Sequence, residues 1–128
     1  MSRWSLIIGC IFAGCGIIAG AVGTHVLRAQ LTVESYAAYQ TAVEYLLMHG
    51  VGLVALGSAA SVRGESRLFK WGLAGIVVGT LLFSGGLLGW TIRAWDLALR
   101  CAPMGGTLLI LSWFTLALAI FRARLRRF

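Results

Sequence analysis

The sequence predicts an all-α fold, an integral membrane bundle of four helices with glycine-mediated packing. Three observations predict it. The chain of 128 residues is 59% hydrophobic and only 12% charged, with a mean hydropathy of +0.89, which is far from the balance of soluble domains. Its apolar residues form four long runs, and its 17 glycines recur within those runs. We therefore expect one transmembrane domain over residues 1–128.

The first two predicted spans cover residues 4–24 and 36–61. No charge occurs from Trp4 to Thr24, and at about 1.5 Å per residue this run crosses a hydrocarbon layer of about 30 Å. The run is longer than the apolar core of a secretory signal peptide, so a membrane span is the favoured interpretation. The second span is less typical, because polar side chains interrupt it. They are Gln40, Glu44 and His49.

The third and fourth predicted spans cover residues 71–92 and 104–121. A polar turn, RGESRLFK at residues 63–70, precedes the third span, which carries no charge. Residues 93–103 are predicted to connect the third span to the fourth. The fourth span ends in the basic tail RARLRRF. Because the number of spans is even, both termini are expected on the same side of the membrane.

The distribution of basic residues predicts which side that is. The chain has 11 lysines and arginines and a net charge of +7. Eight of these basic residues lie on the side of the termini and three on the other side, so the positive-inside rule places both termini in the cytoplasm. This asymmetry explains the positive charge without nucleic acid as a partner, because no basic stripe alternates with exposed aromatic residues.

Small residues form stripes along the first and third spans, where glycine or alanine recurs every three or four residues. Lipid tails are as apolar as leucine, so membrane helices associate by close van der Waals contact, which favours small residues at their interfaces. The stripes therefore predict helix contacts, either within one chain or between copies. The positions predicted to pack helices are Gly16, Gly20, Gly75, Gly79, Gly105 and Gly106.

The second span carries the chain's most unusual polar residues. A charged carboxylate near the bilayer centre costs about 2.5–3.5 kcal/mol on insertion scales, so Glu44 begins as a functional candidate. His49 lies near the predicted midpoint and Glu44 nearer the outer end. They are about 140° apart around a helix, so Glu44 shares a face with Gln40, and His49 shares another with Tyr45. The predicted intramembrane polar site comprises Gln40, Glu44, Tyr45, His49 and Ser84.

Two interpretations of this site stay open. In the first, the polar residues tie helices together through hydrogen bonds, with Ser84 among the partners. In the second, Glu44 and His49 belong to a proton or ion pathway, although such pathways usually need more than two titrating groups. A haem site is disfavoured, because His25 lies near the surface and His49 near the midplane. His25 and Arg28 form a smaller predicted polar site at the outer interface.

The cysteines predict neither a disulfide scaffold nor a metal site. Cys10 and Cys15 lie five positions apart on one predicted helix and point in different directions, so they cannot bridge each other. Cys101 has no obvious partner in the sequence. Zinc needs several clustered ligands, and no such cluster occurs. No cofactor is therefore predicted.

Four segments, in order along the chain, carry a family resemblance: GAVGTHVL at 20–27, YQTAVEYLLMHGVGLV at 39–54, GTLLFSGGLL at 79–88 and APMGGTLLILSW at 102–113. They are similar to the YgdD-like family of small four-span membrane proteins (UPF0382, domain of unknown function 423). The resemblance implies a bacterial inner-membrane protein without an established activity. It also implies mitochondrial relatives in eukaryotes. The family's pattern falls on Gly20, Gly23, His25, Glu44, Tyr45, His49, Phe83, Ser84, Gly85, Pro103, Gly105 and Gly106.

Two positions depart from the family's pattern, Thr24 in place of alanine and Gly50 in place of a small or hydroxyl residue, and neither alters the expected fold. The resemblance also suggests that Glu44, His49 and Ser84 act together, although it supplies no chemistry.

The sequence therefore predicts a protein that is not an enzyme. It is expected to be a structural or accessory subunit of a larger membrane assembly, or a homo-oligomer, embedded in the lipid bilayer. The alternative is a small proton-linked carrier or channel that uses Glu44 and His49 around a midplane cavity. An enzyme is disfavoured, because the few polar residues at the outer interface are too sparse to indicate a reaction.

Overall fold

The computed structural model describes residues 2–63 and 66–125. Over these residues the chain forms four long α-helices and one short 3-10 turn, and each long helix is apolar enough to cross a membrane. The predicted all-α fold with four membrane helices is confirmed. The elements are α1 (Ser2–His25), the 3-10 turn (Leu27–Ala29), α2 (Val33–Arg63), α3 (Arg67–Arg93) and α4 (Asp96–Leu125). Gly64 and Glu65 of the predicted polar turn, and Arg126, Arg127 and Phe128 of the predicted tail, lie outside the described residues.

Local hydrogen bonds explain where two of the helices begin. The Thr32 hydroxyl accepts the backbone N–H of Ser35 at 3.2 Å, which is the bond that an N-cap residue makes to the first turn of a helix. Ser66 caps α3 in the same way, because its hydroxyl accepts the N–H of Phe69 at 3.1 Å. α3 ends at Arg93, and the next residue, Ala94, has a left-handed φ of 50°, the conformation that commonly stops a helix.

The fourth helix begins at Asp96 rather than near Met104, so the predicted connection over residues 93–103 is wrong for most of its length. Pro103, the last residue of the predicted connection, lies inside the helix. The packing explains the difference. The first turns of α4 carry Ala98 and Ala102, which lie directly against Gly86 of α3, and this close contact supports the helix beyond the proline.

The helices form two antiparallel pairs. Extensive contacts join α1 to α2, α2 to α3 and α3 to α4. In the first pair Gly9 lies opposite Val54 and Gly16 opposite Leu47, and in the second pair Gly72 lies opposite Leu116. The buried apolar core draws on all four helices. Its members are Phe12, Leu46, Leu53, Ala60, Phe69, Leu73, Ile76, Leu109, Leu116 and Ala119.

The predicted glycine stripes face neighbouring helices of the same chain, but not equally closely. A methyl group placed on Gly16 would lie 2.6 Å from Cγ of Leu47, and one on Gly79 would lie 2.9 Å from Cγ of Leu109. Gly75 and Gly105 are as tightly enclosed, whereas the same group on Gly20 or Gly106 would meet its nearest neighbour at 3.6 Å or 3.5 Å, an ordinary contact. That the glycines hold the helices together stays a prediction.

Candidate functional site

The polar residues of α2 lie in two separate regions. The His49 cluster consists of Tyr45, His49, Phe83 and Trp113 and lies between α2, α3 and α4. The lateral groove lies between α1 and α2. It is lined by Gly20, Gly23, Thr24, Tyr36, Tyr39, Gln40, Val43 and Glu44.

His49 is 1% exposed, and both of its ring nitrogens have hydrogen-bond partners. The indole Nε1–H of Trp113 donates to Nε2 of His49 at 3.3 Å. An indole nitrogen can only donate, so Nε2 must be the acceptor and Nδ1 must carry the ring proton. Nδ1–H accordingly donates to the backbone oxygen of Tyr45 at 2.7 Å. The ring is therefore held in one neutral tautomer, with both nitrogens occupied.

Aromatic contacts surround this histidine. The ring centroids of Tyr45 and Phe83 are 4.5 Å apart, those of Tyr45 and His49 are 5.6 Å apart, and those of His49 and Trp113 are 6.1 Å apart. Such spacings are typical of offset or tilted ring contacts. Because Phe83 lies on α3 and Trp113 on α4, the cluster joins three helices at one point.

Ser84 is also buried, at 1% exposed, but its hydroxyl has no hydrogen-bond partner among the described residues. Thr80, one turn earlier on α3, donates to the backbone oxygen of Ile76 at 2.7 Å. No hydrogen bond joins Ser84 to Glu44 or His49 within residues 2–63 and 66–125. The three residues that the family resemblance groups together therefore lie in three different environments.

The lateral groove is a cavity of about 120 Å³. Tyr39 fixes one wall, because its hydroxyl donates to the backbone oxygen of Ala19 at 2.6 Å and its ring covers Gly23. A methyl group on Gly23 would lie 2.5 Å from Cε1 of Tyr39, so this residue leaves room for the ring. Small residues of α1 line the groove together with Tyr39, Gln40 and Glu44 of α2.

Glu44 and Gln40 are exposed on the side of the helix pair. The carboxylate of Glu44 makes no hydrogen bond or ion pair with another residue in the described part of the chain. The candidate span Val33–Ser61 is about 43 Å long, and a hydrocarbon layer of about 30 Å centred on this span covers about residues 37–57. Glu44 lies inside that layer, about 4–5 Å along the axis from its middle.

The predicted outer-interface site is less organised. His25 is the last residue of α1 and Arg28 lies in the 3-10 turn, and both side chains are exposed. Within residues 2–63 and 66–125, no three His, Cys, Asp or Glu side chains are placed to hold a metal ion together.

Sequence reasoning missed two residues that shape these regions. Trp113 is not among the predicted site residues, yet its indole N–H donates to Nε2 of His49. Tyr39 was not singled out, although it is 2% exposed and builds a wall of the lateral groove. Its spacing of four from Val43, on the side of α2 that meets the α1 glycines, is a signal that could have found it. No pattern in the sequence pairs Trp113 with His49, because they are far apart along the chain.

Comparison with known proteins identifies the family. Residues 19–106 match the model of a family described as "Protein of unknown function (DUF423)". The chain belongs to this family. The resemblance to the YgdD-like proteins is confirmed, because DUF423 relatives include the inner membrane protein YgdD of Escherichia coli, which is 28% identical over 96% of this chain and 93% of its own length.

Two other relatives of this DUF423 protein carry the name UPF0382 membrane protein. The one from Haemophilus influenzae is 27% identical over 84% of this chain and 86% of its own length. The one from Staphylococcus haemolyticus is 26% identical over 91% of this chain and 94% of its own length. No solved structure matches the chain significantly. The names of these relatives give a membrane location but no activity.

Proposed function

We propose that this protein is a non-enzymatic accessory subunit of a bacterial inner-membrane assembly, with both termini in the cytoplasm. It docks through the side of α1 and α2 that contains Gln40 and Glu44. The observation that carries the proposal is the exposure of Glu44 on the side of the molecule within the hydrocarbon layer, without a described partner for its carboxylate.

The medium beside Glu44 and Gln40 determines what their exposure costs. On a soluble protein an exposed carboxylate is hydrated, but here the neighbouring medium is lipid. An ionisable residue in such a position is expensive and usually faces protein or a water-filled cavity. A partner that covers Glu44 and Gln40 would supply hydrogen bonds that lipid cannot supply. Assembly therefore removes a cost that the isolated chain would bear.

Apolar residues around Glu44 extend the same surface. Met48 and Val51 on α2 are 54% and 62% exposed, and they follow Glu44 along one side of the helix. On α1, the side chains of Ile17 and Ile18 are also exposed. A polar centre with an apolar margin is suited to a helix of another membrane protein.

The location and orientation have separate support. The E. coli relative is named an inner membrane protein. Eight of the 11 basic residues of this chain belong to the segments predicted on the side of the two termini, which favours a cytoplasmic position for that side.

The alternative function, a proton-linked carrier that uses Glu44 and His49 together, has less support. His49 has both nitrogens occupied and is buried among α2, α3 and α4, whereas Glu44 lines the groove beside α1. A proton relay needs groups that can exchange protons along a connected path, and these two face different surroundings.

Photo-crosslinking in native membranes tests the proposal. A photoreactive amino acid replaces Met48, which lies one turn from Glu44, and in a control chain it replaces Phe114 on α4, which is 72% exposed. We expect a discrete protein adduct from position 48 and only lipid adducts from position 114. Lipid adducts alone at both positions would contradict the proposal.

A further inference from the structure

We propose that Glu44 binds the ammonium or guanidinium group of a Lys or Arg side chain on a transmembrane helix of a different protein, and that the lateral groove receives this group. The inference deepens the proposed function and rests on it, because it names the chemistry by which the assembly partner is recognised.

The charge of the Glu44 carboxylate favours a cation as its partner. Glu44 lies within the hydrocarbon layer and pairs with no other described residue. Hydrogen bonds between an ionised carboxylate and a cation are about twice as strong as those between neutral groups. Intramembrane carboxylates accordingly tend to pair with basic side chains. A cation at the same depth is the group that compensates Glu44 most fully.

The size and lining of the lateral groove suit the head of a single basic side chain. The lateral groove has a volume of about 120 Å³. It therefore admits the head of one side chain but not a ligand of ordinary size, whose pockets measure about 300–1,000 Å³. The rings of Tyr36 and Tyr39 line it together with Glu44, and aromatic rings beside a carboxylate favour organic cations.

The depth of Glu44 in the membrane distinguishes between possible sources of the cation. Lipid headgroups lie at the interface, and Glu44 is about 12 Å further along α2 than Tyr36. A second copy of the chain is poorly placed too. Arg100 of that copy lies about 6 Å along α4 from its first residue, whereas Glu44 lies about 16 Å along α2 from its first residue, so the two side chains differ in depth. The second copy would also bring a second Glu44 carboxylate. A basic side chain near mid-depth on another protein fits the site.

A synthetic helix tests the inference directly. The full chain is placed in phosphatidylglycerol vesicles, which contain no amine, with labelled Leu/Ala transmembrane helices that carry Lys, Leu or Glu at mid-depth. Association is measured by energy transfer. We expect the Lys helix to bind about tenfold more tightly than the Leu helix, a factor in the range of polar contacts between membrane helices.

Two variants and one matched control locate the effect. Glu44→Gln should abolish the preference for the Lys helix, and Glu44→Lys should transfer the preference to the Glu helix. Glu34→Gln, which removes an acidic residue from the first turn of the same helix, should leave the preference intact. Equal binding of Lys and Leu helices, or an unchanged preference in Glu44→Gln, would overturn the inference.

Two other sources of the cation, a lipid amine and a second copy of the chain, would give different results in the vesicle experiment. Loss of the Lys preference when phosphatidylethanolamine is added would assign the groove to a lipid amine and overturn the inference. Self-association of the chain without peptide, if it depended on Glu44, would assign the site to a second copy and overturn it as well.

The inference and the proposed function fail separately. If crosslinking from position 48 in native membranes persists in Glu44→Gln, the protein has a partner, but the cation contact is wrong. If the Lys preference holds in vesicles while native membranes give only lipid adducts, the cation site stands and the accessory role fails.

Discussion

The two polar regions of α2 differ in what completes their hydrogen bonds. In the His49 cluster, a backbone oxygen of α2 and an indole of α4 occupy both nitrogens of a side chain that is buried in the chain's interior. In the lateral groove, Glu44 and Gln40 lie on the outside, and the Glu44 carboxylate has no described partner. Both regions lie within the hydrocarbon layer, so depth alone does not explain the difference.

The difference teaches that a polar residue in a membrane span has a structural role when its own chain satisfies it, and an intermolecular role when its chain does not. On this basis we propose that His49 stabilises the fold of the chain and that Glu44 contacts a partner. Substitutions in the first region should lower the stability of the isolated chain, whereas substitutions of Glu44 should change its associations.

The largest expected effect is that of His49→Ala. It removes a fully buried side chain and leaves the Trp113 indole N–H without its acceptor, so the free energy of unfolding should fall by about 2–4 kcal/mol. Unfolding in mixed micelles with increasing SDS, followed by circular dichroism, measures it. Met48→Ala, one position away but 54% exposed, is the control. Equal losses in the two variants would contradict the structural role of His49.

The next effect concerns the contact between α1 and α2 at Gly50. A methyl group on Gly50 would lie 2.7 Å from the backbone nitrogen of Ala13 and 2.9 Å from the backbone oxygen of Gly9. Backbone atoms cannot give way as a side chain can, so Gly50→Ala should cost about 1–3 kcal/mol of stability. The control is Gly14→Ala, where the added methyl meets nothing within 4 Å. The same SDS titration compares them, and a neutral Gly50→Ala would show that α1 and α2 can separate freely.

Trp113→Phe isolates one hydrogen bond of the His49 cluster. It keeps an aromatic ring but removes the indole N–H, so Nε2 of His49 loses its donor and the free energy of unfolding should fall by about 1 kcal/mol. Trp4→Phe is the matched control, because Trp4 is 67% exposed. If both tryptophan variants unfold at the same SDS fraction as the unchanged chain, the indole bond contributes nothing.

Ser84→Ala should have the smallest effect and the opposite sign. Its buried hydroxyl has no partner among the described residues, so its removal should leave stability unchanged or raise it by up to about 1 kcal/mol. Ser112→Ala is the comparison, because the Ser112 hydroxyl donates to the backbone oxygen of Leu108 at 2.6 Å. A clear loss of stability in Ser84→Ala would mean that the hydroxyl makes a bond in the membrane.

Long apolar runs predicted the four helices, because the thickness of the bilayer dictates their length. The start of α4 was not predictable, because the contact of Ala98 and Ala102 with Gly86 depends on how α3 and α4 meet. Helical geometry separated Glu44 from His49 on α2. It could not show which of the two faced the interior, since that depends on where α1, α3 and α4 pack.

The size of the complex in native membranes tests the central claim most directly. Membranes that contain the 13.7 kDa chain are dissolved in mild detergent, and the mass of the folded complex is measured for the unchanged chain, Glu34→Gln and Glu44→Gln. We expect the first two in a larger assembly and Glu44→Gln at the mass of a single folded chain. A Glu44→Gln chain that stayed in the same assembly, or an unchanged chain that was already single, would contradict the account.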